Sequence, residues 1–148
     1  MNMEGSGNIK RIKFEVLGDP KSQLRLKFRR MGSRIHTYVP EVTKMAEQNF
    51  TLQSLAHRPK ELICGPVYVG LKIIRSIPKS MSKKNKLLAL DEVLRPITKP
   101  DLSNYIKLIE DAMTGIFYRD DAQIVGYLDI GKYYGLTPKI EVVIEYVE

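Results

Sequence analysis

The sequence predicts an α/β protein of the α+β kind, built as a single small domain with a mixed, largely antiparallel sheet packed by about three helices. Three observations favour this class. The chain has 148 residues, which suits one compact domain. Its hydrophobic fraction of 43% is sufficient for a packed core. Segments in which apolar residues alternate, as they do in strands, are separated by segments with the periodicity of helices.

The predicted strands share an alternation of apolar and polar residues. One segment, 66–75, is so strongly apolar that we expect both of its faces to be buried, with Ile74 on the second face. A turn at Met31-Gly32-Ser33 predicts a β-hairpin. The strands are expected at residues 11–17, 24–29, 35–39, 66–75, 122–130 and 139–147.

The predicted helices cover residues 41–56, 82–93 and 101–114. Ser80 or Ser82 is placed to cap the second helix. The third has the strongest pattern, with Pro100 before it, Gly115 after it and an apolar stripe of Leu102, Tyr105, Ile106, Ile109 and Met113. The first helix is expected to bury the side formed by Val42, Met45, Ala46, Leu52 and Ala56.

Composition excludes several classes of protein. No stretch reaches the ~18 apolar residues of a membrane span, and residues 1–10 lack the apolar core of a signal peptide. We therefore expect a cytoplasmic protein with a flexible N-terminus at 1–10 and one domain at 11–148. The single cysteine, Cys64, excludes a Cys-based zinc cluster, and its apolar neighbours predict a buried thiol.

Charge is divided unevenly along the chain. Residues 1–100 carry 20 Lys and Arg against 8 Asp and Glu, whereas residues 101–148 carry 4 against 9. A basic region attracts polyanions, and an acidic region beside it suggests that a metal ion intervenes. Several of the basic residues lie on the predicted hairpin, and the alternative to phosphate binding is that they form a solvated strand face. The predicted contacts to backbone phosphates are Arg25, Lys27, Arg29, Arg30 and Arg34, with Lys83, Lys84 and Lys86 at the second helix.

The acidic region places a set of polar residues around the third helix. Ser103, Lys107, Glu110 and Asp111 share one helix face, which Asn104 borders, and Asp101 opens the helix. Asp120 and Asp121 follow at a turn, and a strand packed back beside the helix would bring Asp101 near Asp121. Carboxylates suit Mg²⁺. Taken singly, Asp101 is most often a helix cap, Lys107 with Asp111 is most often a surface ion pair, and Asp120-Asp121 is most often a turn.

Three runs of residues resemble the RusA family of Holliday-junction resolvases. Residues 99–107, 110–115 and 120–125 are similar to the family patterns K-P-D-x-D-N-x-x-K, D-A-[LM]-x-G and D-D-x-Q-[VI]. Lys132-Tyr133-Tyr134, Gly18-Asp19-Pro20-Lys21 and Ile77-Pro78-Lys79-Ser80 resemble further elements of the family, so the resemblance extends over residues 11–147.

This resemblance implies a homodimeric endodeoxyribonuclease, often carried by phages, that binds four-way DNA junctions in recombination and repair. Such enzymes cut two opposed strands with Mg²⁺ or with Mn²⁺ in its place, and paired nicks agree with two-fold symmetry. The resemblance implies that Asp101 and Asp121 bind the metal, and it assigns to Lys107 an essential positive charge. Our own hypothesis adds Asp120, which would support or join the two ligands, and expects Ser103, Asn104 and Asp111 to support the site.

Ser103 departs from the family pattern, which has an aspartate at this position. A serine hydroxyl is a neutral and weaker ligand, so divalent binding should be weaker. Three explanations stay open: Asp120, Asp111 or Glu110 supplies the missing charge, the chain binds junctions and cuts them poorly, or Ser103 is an introduced substitution. A basic RNA-binding protein and a structural protein also remain open as alternatives. A milder departure is the loss of the proline of the family's Arg-Pro-Arg element at residues 24–27.

Overall fold

The computed structural model describes residues 7–21, 27–38 and 40–147 of the chain. Short 3₁₀ helices at Leu55–His57 and Asp121–Gln123 accompany the main elements. These are β1 (Ile9–Leu17), β2 (Lys27–Met31), β3 (Arg34–Tyr38), α1 (Glu41–Ser54), β4 (Val67–Ser76), α2 (Lys83–Leu90), α3 (Leu102–Met113), β5 (Ile124–Gly135) and β6 (Lys139–Val147). The predicted α+β class and the three helices are confirmed.

The main sheet has four strands in the order β1-β6-β4-β5. β6 pairs antiparallel with β1 and β4, and β4 pairs parallel with β5. The prediction of a mixed, largely antiparallel sheet is confirmed. β2 and β3 form the predicted hairpin as a separate two-stranded sheet. β5 begins later than predicted because residues 121–123 form a 3₁₀ turn, and it continues to Gly135.

The core lies between the sheet and the helices α1 and α3. The predicted inner face of β4, Val67, Val69, Leu71 and Ile73, is buried, and so is Ile74 on the opposite face, as expected for a central strand. The apolar stripe predicted for α3 also packs inward: Tyr105, Ile109 and Met113 are buried and Leu102 and Ile106 are partly buried against the core. Leu108 and Ala112 of α3, which were not predicted, are buried too.

The predicted buried side of α1 is wrong for four of its five residues. Ala46 is partly buried against the core, as expected. Val42, Met45 and Leu52 are 55%, 60% and 70% exposed, and Ala56 is also exposed. The helix instead buries Thr43, Phe50 and Ser54. The ring of Phe50 lies edge-on to Phe14 of β1 at 6.2 Å between centroids. This aromatic contact selects the inward face because burying a large ring outweighs burying smaller aliphatic side chains.

The predicted burial of Cys64 is also wrong. Cys64 is exposed, and its thiol donates a weak hydrogen bond to the carbonyl of Leu62 at 3.5 Å. The reason is its place in the fold, since in the segment before β4 the neighbouring Ile63 is buried in the core and Cys64 is exposed.

Candidate active site

Asp101 stands at the N-cap position of α3. Its backbone is extended, with φ −67° and ψ 147°, and its side chain makes no capping hydrogen bond. The carboxylate is exposed, as are the neighbouring side chains of Ser103 and Asn104 in the first turn of the helix. The explanation of Asp101 as a side-chain helix cap is therefore not realised, and its oxygens face solvent at the helix entrance.

Two cations of the sheet hold the segment that leads into Asp101. Lys132 Nζ, on β5, donates hydrogen bonds to the carbonyl oxygens of Thr98 at 3.0 Å and Pro100 at 3.2 Å. Arg75 Nη1, on β4, donates to the carbonyl and hydroxyl oxygens of Thr98 at 3.2 and 3.3 Å. The approach to Asp101, which includes a cis Lys99–Pro100 peptide bond, is thus tied to both parallel strands.

Arg95, which stacks on the ring of Tyr133, contacts the backbone of Lys132. Arg95 Nε donates to the carbonyl oxygen of Lys132 at 2.9 Å, and its guanidinium lies 3.9 Å from the centroid of the Tyr133 ring. A β-carbon at position 131 would overlap the Arg95 guanidinium, so Gly131 leaves the space that this stacking needs. The residues between α2 and α3 are therefore anchored on β5.

The polar face of α3 joins Lys107 to the acidic residues. Lys107 Nζ lies 3.3 Å from Asp111 Oδ1, the i,i+4 ion pair that was one interpretation of this spacing. The hydrogen bond with Asp111 is the main cause that raises the pKa of Lys107, and the negative charges of Asp121 and Glu110 add to the increase. The structure thus brings Asp121 into the electrostatic neighbourhood of Lys107, with Glu110 and Asp111 beside it.

Two tyrosines donate hydrogen bonds to Glu110. The hydroxyl of Tyr127, on β5, donates to the Glu110 carboxylate, and this hydrogen bond is the first of the causes that raise the pKa of Tyr127 to about 12. The hydroxyl of Tyr118 donates to the Glu110 carbonyl at 2.9 Å, and burial is the main cause that raises the pKa of Tyr118. Glu110 is therefore held between α3 and β5.

Asp120 and Asp121 occupy the turn before β5. Asp120 Oδ1 accepts a hydrogen bond from the backbone N–H of Ala122 at 2.8 Å, which makes Asp120 the cap of the 3₁₀ helix. This hydrogen bond, followed by one with the Asp121 side chain, lowers the pKa of Asp120. Asp121 is half-buried and begins the 3₁₀ helix. The Asp120 carboxylate is therefore used as a cap, and this cap fixes the 3₁₀ helix that begins at Asp121.

The hydrogen bonds of Gln123 give a structural role to the glutamine of the D-D-x-Q pattern. Its Oε1 accepts from the backbone N–H groups of Arg119 and Asp120 at 2.9 and 3.1 Å. Its Nε2 donates to the carbonyl oxygens of Ile63 and Gly65 at 2.7 and 3.1 Å. We call this set of four hydrogen bonds the Gln123 clip. It ties the turn that carries Asp120 to the segment that enters β4.

The donor chemistry of the site fits a hard dication only in part. Asp101 and Asp121 offer the carboxylate oxygens that Mg²⁺ prefers, with water completing its coordination. Within residues 7–21, 27–38 and 40–147, however, no three His, Cys, Asp or Glu side chains lie close enough to form a metal-binding group. Asp111, Glu110 and Asp120, the candidates to replace the missing carboxylate at Ser103, each have protein partners. Metal ligation by Asp101, Asp121 and Asp120 stays a prediction.

Comparison with known proteins decides the family. Residues 18–145 match the family model described as endodeoxyribonuclease RusA, which is nearly the whole chain. The chain belongs to the RusA endodeoxyribonuclease family. It is also similar to the uncharacterized protein YqaN of Bacillus subtilis (strain 168), with 40% identity over 138 residues that cover 92% of this chain and 96% of the relative. In the described part of this RusA-family chain, no helix is both long and apolar enough to cross a membrane.

The basic hairpin of this RusA-family chain is only partly described. Arg25 lies outside the described residues, and so do the side chains of Lys27 and Arg29. Arg30 and Arg34 are exposed, on either side of the turn. Arg30 Nε donates to the carbonyl oxygen of Gly32 at 3.4 Å. The predicted role of these residues in binding DNA stays a prediction.

The lysines of α2 stand in an unfavourable electrostatic position. Ser82, one of the two predicted caps, caps the helix by accepting from the backbone N–H of Asn85 at 3.2 Å. Lys83 and Lys84 are exposed and Lys86 is half-buried, with no acidic residue in the first turn. Positive charge at the positive end of the helix dipole reduces helix stability, whereas an anion bound there would offset this repulsion.

Sequence reasoning missed several residues of the site. Tyr127, Tyr118 and Arg75 carried no signal, because each contacts the site from an element whose approach is not visible in local periodicity. Gln123 did carry one, as the glutamine of the RusA-family pattern, but the partners of its amide, Ile63 and Gly65, are some sixty positions away in the chain.

Proposed function

We propose that this RusA-family protein is a structure-specific endodeoxyribonuclease that resolves four-way junctions and other branched DNA by metal-dependent hydrolysis of phosphodiester bonds. The geometry that supports it is on the polar face of α3, the helix that Asp101 begins: Lys107 Nζ lies 3.3 Å from Asp111 Oδ1, and the charges of Asp111, Asp121 and Glu110 all raise its pKa. An ammonium beside carboxylates from two parts of the chain is the arrangement that charge stabilisation at a scissile phosphate requires.

Asp101 and Asp121 would hold Mg²⁺, or Mn²⁺ in its place, with Asp120 beside them. The bound cation would supply polarisation of the phosphodiester and activation of a water molecule. Lys107 is a cation at neutral pH, as lysines ordinarily are, and the hydrogen bond with Asp111 raises its pKa further. Its positive charge would stabilise the negative charge that develops as the P–O bond breaks. Asn104, exposed in the first turn of α3, would orient a ligand of the site.

Branched DNA would be positioned by the basic surfaces. The exposed Arg30 and Arg34 and the lysines that open α2 would contact backbone phosphates, which orient a duplex without reading its sequence. Two copies of the site are needed for two opposed nicks, so we propose a homodimer with two-fold symmetry. Sedimentation or light scattering of the purified chain tests this part.

A second candidate function is junction binding with weak or no cleavage. Ser103 favours it, because this position lacks the carboxylate of the family pattern, and Asp111, Glu110 and Asp120 are engaged elsewhere. A metal site short of one carboxylate binds dications more weakly, while the basic surfaces remain intact.

Incubation with a synthetic four-way junction and Mn²⁺ separates the two functions. The proposed nuclease nicks two opposed strands, and Asp101→Asn and Asp121→Asn abolish the nicks without loss of binding in EDTA. Asp91→Asn is the control, since Asp91 is exposed at the end of α2 and should leave nicking unchanged. Ser103→Asp should lower the Mn²⁺ concentration needed for cleavage. Tight binding without nicks by the unaltered chain favours the binding protein.

A further inference from the structure

A cleft of about 390 Å³ opens at the same end of the molecule as Asp101. It is enclosed by the loop after β1, the start of α1, the end of β4 and the start of α3. Pro100, the residue before Asp101, forms part of its wall, and Tyr105 lies one turn into α3. We call it the Tyr105 cleft. Its volume lies within the ~300–1,000 Å³ range of ligand pockets.

Tyr105 presents a polar atom to this cleft. The side chain is 1% exposed and lines the cleft, yet among the described residues it makes no hydrogen bond. No fully enclosed polar side-chain atom in that part of the chain lacks a hydrogen-bond partner, so the hydroxyl must be the portion of Tyr105 that reaches the opening. A nearly buried hydroxyl without a protein partner needs a ligand or water to satisfy it. A tyrosine hydroxyl is a neutral donor at neutral pH, and burial raises the pKa of Tyr105 further.

The charges that line the cleft favour an anion. The Arg75 guanidinium uses Nη1 to bind Thr98, which leaves the other N–H groups of its five donors for a ligand. Lys21 is exposed on the cleft wall and forms no ion pair within the described part of the chain. Among the described residues that line the cleft, Asp19 is the one carboxylate, and it accepts a hydrogen bond from the Ser76 hydroxyl at 3.3 Å. Two cations thus face one carboxylate that already has a partner.

We propose that the Tyr105 cleft binds one nucleotide of the DNA strand, with its phosphodiester accepting hydrogen bonds from Tyr105, Lys21 and Arg75. This inference rests on the proposed function for the identity of the polyanion. Because a cleft of about 390 Å³ is too small for a duplex, the strand that enters it would be locally unpaired. It would hold the strand beside Asp101, at the entrance of α3.

The test measures binding apart from cleavage. The full chain is titrated in EDTA with a fluorescently labelled oligothymidylate of about ten nucleotides, a single strand without secondary structure. Tyr105→Phe removes only the hydroxyl and should weaken binding about tenfold, as expected for a hydrogen bond to a charged group. Lys21→Met should weaken it about threefold to tenfold, and this loss should shrink as salt is raised.

Two matched controls remove the same groups elsewhere. Lys60→Met deletes an exposed lysine before the opposite end of β4, and Tyr68→Phe deletes the hydroxyl of an exposed tyrosine on that strand. Both should bind the oligonucleotide as the unaltered chain does. Thymidine monophosphate should compete better with the unaltered chain than with Tyr105→Phe, and inorganic phosphate should compete more weakly than the mononucleotide.

Equal binding by Tyr105→Phe and the unaltered chain would overturn the inference, as would competition by phosphate equal to that of the mononucleotide. If Tyr105→Phe unfolds at a lower temperature, Lys21→Met decides, because an exposed lysine is not needed for folding. If the chain nicks junctions and neither substitution weakens binding, the proposed function stands and the inference about the cleft is refuted. If Tyr105→Phe weakens binding and the unaltered chain does not nick, the inference about the cleft stands and the proposed cleavage is refuted.

Discussion

Replacement of Gln123 by leucine removes all four hydrogen bonds of the Gln123 clip. The two that Nε2 donates are part-buried, so the carbonyl oxygens of Ile63 and Gly65 would lose partners that water replaces poorly. The two that Oε1 accepts, from Arg119 and Asp120, are exposed and are more easily replaced by water. A typical net contribution is about 0.5–1.5 kcal/mol per hydrogen bond, and more for a buried group left unsatisfied. With each bond at the central value of about 1 kcal/mol and the exposed pair counted at half weight, the free energy of unfolding should fall by about 3 kcal/mol.

Chemical denaturation and thermal unfolding measure this loss. The melting temperature should fall by about 5–10 °C for a domain of this size. Gln48→Leu is the matched control, because Gln48 is an exposed residue of α1, and it should change stability by less than about 0.5 kcal/mol. Gln123→Glu retains the two acceptor bonds and loses both donors, so it should be destabilised as well.

The clip also predicts an effect on activity. Since it fixes the turn that carries Asp120, Gln123→Leu should cleave junctions more slowly than the unaltered chain even at temperatures where both are folded. Stability of Gln123→Leu equal to that of Gln48→Leu would refute the reasoning, because the four contacts would then contribute nothing that water does not supply.

Three further predictions concern other parts of the site. Lys132→Met removes the hydrogen bonds to the two carbonyl groups before Asp101. It should therefore raise the Mn²⁺ concentration required for half-maximal cleavage several-fold, while junction binding in EDTA is unchanged. Lys132→Arg should recover part of the loss, and an unchanged Mn²⁺ requirement for Lys132→Met would contradict this role. The pKa of Tyr127 is raised from 10.0 to about 12, so the stability that its hydrogen bond to Glu110 adds should be present below pH 10 and lost as pH rises towards 12. Tyr127→Phe should therefore be less stable than the unaltered chain at neutral pH and equal to it near pH 12, as measured by denaturation; a pH-independent difference would argue against the bond. Arg34→Ala should weaken junction binding similarly for all sequences and reduce the slope of log affinity against log salt by about 1, whereas an unchanged slope would exclude a phosphate contact.

Much of the fold and part of the site could be predicted from sequence. Alternation along β1, β4 and β6 identified the strands, since one buried face imposes a period of two whatever lies beyond it. The helical stripe of α3 identified its buried side for the same reason. The inward face of α1 was mispredicted because its apolar residues are scattered, and the contact of Phe50 with Phe14 joins elements far apart in sequence.

The sequence by itself determined the α+β class, the positions of the strands and helices, and the family, because local periodicity and motif spacing are properties of neighbouring residues. Only the tertiary structure decided that Gln123 holds the turn to the entry of β4, and that Arg75 and Lys132 hold the approach to Asp101. It also decided that the hydroxyl of Tyr105, which the helical pattern treats as part of an apolar stripe, reaches a cleft. These contacts join chain segments tens of residues apart, and their partners are often backbone carbonyls, which every residue possesses and no sequence pattern distinguishes.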